Sequence, residues 1–136
     1  MMVTVAQADA GAVIPRIPKN RVHLLWHSDY WDGPISGIAE YRKQEYWFRA
    51  TNDHSRKRRY WLVRLAPTEL IEELARHDDF REMVGWHCDY QENGRSRLDA
   101  HPTRDTADEF YKKYPSNPRG SWDKYLHDEV IGWFQL

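Results

Sequence analysis

Residues 22–65 read VHLLWHSDYWDGPISGIAEYRKQEYWFRATNDHSRKRRYWLVRL, and the order of residue types along this stretch decides the fold class. Side chains of an extended chain alternate between two faces, so Val22, Leu24 and Trp26 fall on one side and His23, Leu25 and His27 on the other. Asp32-Gly33-Pro34 then makes a turn, because Gly33 tolerates positive φ and Pro34 fixes its own. A second extended segment runs from Ile35 to Tyr41. Arg42-Lys43-Gln44 is a polar turn, and from Glu45 to Thr51 the aromatics suit a pleated surface, with Tyr46 and Phe48 opposite Trp47. After the polar residues 52–58, Tyr60 and Leu62 alternate with Trp61, Val63 and Leu65 in a fourth segment, Arg59 to Leu65. Four successive strands with short links predict an antiparallel meander.

Downstream the period changes. Pro67 suits a first helical position and Glu69 the third, so a helix is expected after Ala66. At 100° per residue Leu70, Ile71, Leu74 and Ala75 share one arc, whereas Phe80, Met83 and Val84 lie on the opposite one. A break at His77-Asp78-Asp79 reconciles them, with Asp79 capping a second short helix and Glu82 at the capping-box offset. Thr106 and Glu109 repeat that offset before Phe110, predicting a third helix that Pro115 stops. The mostly apolar segment Glu129 to Leu136 is expected as a closing strand or buried tail. The whole is an α+β fold: an antiparallel four- to five-stranded meander with two or three short helices packed on one face, forming a single domain over residues 21–136.

Residues 1–20 read as a flexible N-terminal arm without a role in the fold, since Pro15 and Pro18 remove backbone donors just before the first strand. They lack the basic start and continuous apolar run of a secretory signal, so a cytoplasmic location is expected. The chain has 136 residues, 40% hydrophobic and 30% charged, with a net charge of -1. That balance excludes a broad phosphate-attracting surface and an acidic nucleic-acid mimic, and no apolar run is long enough for a membrane helix. The single cysteine, Cys88, cannot form an intramolecular disulfide and reads as a buried, inert thiol. Nucleotide-binding glycine loops, the G-x-S-x-G elbow, H-E-x-x-H and C-x-x-C are all missing, and the sequence names no cofactor.

Two segments are near-repeats: Trp26-His27-Ser28-Asp29-Tyr30 and Trp86-His87-Cys88-Asp89-Tyr90. If both are extended, His27 with Asp29 and His87 with Asp89 each project from one face, a donor set suited to zinc, manganese or iron, or to proton transfer. The structural alternative puts both tryptophans in the core and uses the histidines and aspartates to satisfy turn backbone. The run 54–59, with Arg56, Lys57, Arg58 and Arg59, is the only concentrated basic stretch.

Seven Trp, eight Tyr and four Phe exceed what a core of this size needs, and Trp, Tyr and Arg are the residues most enriched at binding hot spots. Tyr30, Trp31, Tyr90, Tyr111 and Trp122 fall in predicted turns or polar segments and, with Arg58 and Arg59, form the candidate binding set. The sequence is thus read as a small soluble interaction protein, inhibitor- or immunity-like, that binds a protein partner through an aromatic and arginine-rich surface. The alternatives are a metal-dependent enzyme using His27, Asp29, His87 and Asp89, and a nucleic-acid accessory protein using the basic loop 54–59.

Overall fold

The computed structural model describes residues 2–30, 33–51, 58–83, 89–92, 95–98, 106–114 and 124–136. The alternating segments form β1 (His23–Tyr30), β2 (Gly33–Tyr41), β3 (Gln44–Ala50) and β4 (Arg59–Arg64), each antiparallel to the next. Three more strands extend the meander: β5 (Asp89–Glu92) and β6 (Arg95–Leu98) add beyond β1, and β7 (Glu129–Gln135) pairs with β4. The result is a seven-stranded sheet of order β6-β5-β1-β2-β3-β4-β7. Among the described residues three α-helices accompany it: α1 (Val5–Asp9), α2 (Pro67–Met83) and α3 (Ala107–Lys113). Among the described residues no helix is long and apolar enough to cross a membrane.

Cross-strand registers sort the side chains into rungs on two faces. Trp26, Ile38, Trp47, Val63 and Val130 share one rung and one core, against which Leu70 and Leu74 of α2 pack. The next rung carries Phe48 and Leu62 into a second core, where Phe48, Tyr60 and Phe134 meet at 5.3 to 5.9 Å between ring centroids. Part of the aromatic load is therefore spent inside the fold.

Strict alternation assigns Trp26 to the face of Leu24, and the register corrects this. Leu24 pairs with Ala39 but Trp26 with Ile38, which leaves Leu25 as the extra residue of a β-bulge. Leu24 stays with the second core, whereas Trp26 turns to α2 and stacks on His77 with ring centroids 4.0 Å apart. A Cβ on Gly37 would run into the Trp26 carbonyl oxygen, so only glycine lets β2 come this close.

The expected break in α2 is absent; it is one helix of 17 residues. Its two apolar arcs have two partners, because Leu70 and Leu74 pack on the sheet core while Phe80 and Met83 pack on the fully buried Phe110 of α3. Asp79 is not a cap: its carboxylate accepts from Lys113 Nζ at 2.9 Å and Tyr114 Oη at 2.6 Å. Nor does the Thr106 side chain cap α3, since its hydroxyl donates to the Met83 carbonyl at 2.7 Å and serves the open end of α2 instead. The start of α2 is as predicted, with Glu69 Oε1 accepting from the Ala66 N–H at 2.9 Å.

The N-terminal segment, expected to lack a role in the fold, is part of the core. A Thr4–Gln7 capping box starts α1, and Val5, Ala8, Ile14 and Ile17 are buried. The segment also lies along the outer edge of β7: Val130 N–H donates to Val3 O at 2.8 Å, Trp133 N–H to Pro15 O at 2.9 Å, and Ile17 N–H to Trp133 O at 2.7 Å. Pro15 is compatible with this because it supplies a carbonyl, not a donor. An open edge would invite pairing with another chain, and these bonds occupy it.

Candidate functional site

Antiparallel pairing determines which strand ends lie together. β1, β3, β6 and β7 finish, and β2, β4 and β5 begin, at the same end of the sheet. Tyr30 ends β1, Arg59 opens β4 with Arg58 just before it, and Asp89 and Tyr90 open β5, so these candidate positions, far apart in sequence, share one end. Tyr111 lies in α3 rather than on a strand. Trp31, His87 and Trp122, with Cys88, lie outside the described residues.

One rung near this end crosses the whole sheet: Arg97, Tyr90, Ser28, Ser36, Arg49, Trp61 and Trp133, with Arg16 bridged to Trp133 from the N-terminal segment. Arg49 is fully buried, an unusual place for a guanidinium. Its Nη2 donates to Asp9 Oδ1 of α1 in an ion pair, its Nε to Ala50 O at 3.2 Å, and Trp61 Nε1 adds a second bond to Asp9 Oδ1 at 2.9 Å. The carboxylate thus clamps α1 to two strands. Ser36 and Thr51, also buried, lie at the same end. At the outer side of the rung Trp133 is flanked by two cations, with Arg59 Cζ 4.5 Å and Arg16 Cζ 5.3 Å from its ring centroid. An open groove lined by Arg16, Pro18, Lys19 and Asn20 adjoins it.

The two near-repeat segments meet in part. β1 pairs with β5 so that Ser28 lies opposite Tyr90 and His27 opposite Gln91, which brings the backbones of Asp29 and Asp89 to the two sides of one strand pair. His27 is buried, and its rung continues through Gly37 to Phe48 and Leu62, on the face opposite that of Trp26. Among the described residues no three His, Cys, Asp or Glu side chains gather as a metal site.

A polar cluster that sequence reasoning missed lies between α2 and the sheet. Glu73 is buried and its Oε1 accepts from Tyr125 Oη at 2.6 Å and Lys124 Nζ at 2.8 Å. Burial first, then the Glu73 carboxylate, raise the Tyr125 phenol above its ordinary value, and its backbone φ of 56° is rare for an aromatic residue. One turn on, burial and then the Arg81 charge lower His77 to about 4. The available signal was position: Glu73 and His77 are four apart and flank Leu70 and Leu74 in the buried arc. The hydrogen bonds of Glu73 to Tyr125 and Lys124 tie α2 to the segment that leads into β7, and the Tyr125 ring packs edge-on against Trp47 of β3.

Compared with protein-family models, curated proteins and solved structures, the chain matches none of them.

Proposed function

We propose that this chain is a small cytoplasmic interaction protein, inhibitor- or immunity-like in mode, which binds a protein partner at the end of the sheet where β4 opens and β7 closes. The observation that supports this reading is the Arg16–Trp133–Arg59 arrangement. An indole between two guanidiniums offers contact area, charge and hydrogen-bond donors at a small cost in side-chain freedom, the combination most enriched at hot spots. The scaffold beneath is stiff, because the buried Arg49 pair ties α1, β3 and β4 together. Immobilised chain would be used to capture proteins from the source lysate, and each captured protein purified and titrated against wild type and Arg58→Ala/Arg59→Ala. One partner whose affinity drops at least about tenfold in the variant is expected; equal affinity for both proteins counts against this surface.

The β1–β5 pairing supports a second reading, a metal-dependent enzyme built on the two near-repeat segments, since it sets the backbones of Asp29 and Asp89 on adjoining strands. Zinc or manganese should then raise the melting temperature of wild type and not of Asp29→Asn/Asp89→Asn, because only a ligand of the folded state stabilises it. An identical response in both proteins removes this reading.

A further inference from the structure

Charge is strongly segregated in this chain. Residues 10–28 and 54–63 contain Arg16, Lys19, Arg21, Arg56, Lys57, Arg58 and Arg59 and no Asp or Glu, so with -1 overall the remainder carries -8. The Arg16–Trp133 bridge and the Arg59–Gln135 pair bring these two segments to opposite sides of β7. Residues 54–57 of the basic run lie outside the described residues; beside Arg58 and Arg59, residues 16–21 supply further positive charge, including the groove lined by Arg16 and Lys19. Arg16, Lys19, Arg21 and Arg59 are all exposed.

We propose that this groove receives an acidic segment of the protein partner, whose carboxylates meet the guanidinium of Arg16 and the ammonium of Lys19. The inference rests on the partner-binding reading above and specifies the chemistry of the partner. Charge complementarity carries it, and the use of the aromatic ring selects protein over nucleic acid. Bases are held by open aromatic faces, but Trp133 already has two guanidiniums over its ring, and Trp61 is tied through its indole N–H to Asp9. Arg16 is exposed with its Cζ over the Trp133 ring, and a guanidinium offers paired N–H donors that match a carboxylate. The remaining -8 would repel a long phosphate backbone at any distance from the groove.

Fluorescence anisotropy on the full chain tests this with three labelled probes: a peptide of alternating Glu and Gly, the same peptide with Lys for Glu, and a short oligothymidylate of matching negative charge. The acidic peptide is expected to bind and the lysine peptide not to bind. Affinity for the acidic peptide should fall about tenfold in Arg16→Ala/Lys19→Ala, and increasing salt should weaken it. Lys43→Ala/Lys112→Ala, which removes as much charge elsewhere, should bind like wild type. Absence of acidic-peptide binding, or equal weakening in both double variants, overturns the proposal, and tighter binding of the oligothymidylate overturns it in favour of nucleic acid. A captured protein that binds wild type and Arg16→Ala/Lys19→Ala equally but loses affinity in Arg58→Ala/Arg59→Ala would sink the acidic-segment inference and leave the partner reading standing; a captured set insensitive to either pair of substitutions sinks the partner reading itself.

Discussion

Arg49 places a guanidinium where no solvent reaches it, and Asp9, from a helix forty residues away, supplies the opposing charge. Removing one member of such a pair strands the other, so Arg49→Ala should cost about 3 kcal/mol in urea denaturation; a loss below about 1 kcal/mol would mean that the pair does not hold α1 to the sheet. His77 makes a different demand. An unconstrained imidazole takes up a proton near 6.5, whereas His77 does so only near 4. Between those values the unfolded chain binds a proton that the native chain does not, so this residue lowers stability as pH falls through the window and costs nothing above it. Asp128 acts in the opposite sense. Burial, and then its hydrogen bond with Glu69, raise it from 3.8 to about 6, so the native state takes the proton first and gains as pH falls through that range. His77→Gln isolates the histidine: its melting temperature relative to wild type should rise as pH drops from 6.5 to 4, and a difference that stays constant with pH would contradict the assignment.

At the scale of elements, α2 is stable as one helix because each arc has its own partner. Phe110 is the buried centre of the cluster in which Phe80 and Met83 of α2 pack on α3. Phe110→Ala should therefore cost about 3 kcal/mol, the usual penalty for truncating a buried phenyl ring, and should speed amide exchange in α3 and the last turn of α2 more than in the strands. The N-terminal segment is tested by deletion. A chain lacking residues 2–17 loses four buried side chains and the acceptors along β7, so it should be less stable than wild type and associate by size-exclusion chromatography; a stable monomer would show that the segment is dispensable. Strand identity was legible wherever period-two alternation ran unbroken, as from Tyr46 to Ala50. It misled at Trp26, because a bulge inserts one residue and reverses every later face without any mark in composition. The N-terminal segment was misread because its prolines and alanines resemble a mobile tail, while its bonding partners, Asp128, Val130 and Trp133, lie more than a hundred residues away.

In the whole molecule, the antiparallel order does what no local pattern announces: it collects one rung of serine, arginine and tryptophan from five distant segments and closes it with Arg16. Arg58 and Arg59 were legible as candidates from the density of charge alone. Arg16, Trp133 and Arg49 were not, because their significance is a matter of strand register, which a sequence shows only after the strands are paired. The same order leaves the Arg42–Lys43 turn, with both residues at positive φ, at the far end of the sheet and clear of the proposed surface. The two ends can be compared directly by amide hydrogen exchange on the chain with and without its captured partner. Protection on binding is expected in residues 16–21, 58–61 and 133–136, with residues 41–44 and the exposed side of α2 around Ile71 unchanged. Protection confined to residues 41–44 or to α2 would contradict the assignment of partner binding to this end of the sheet.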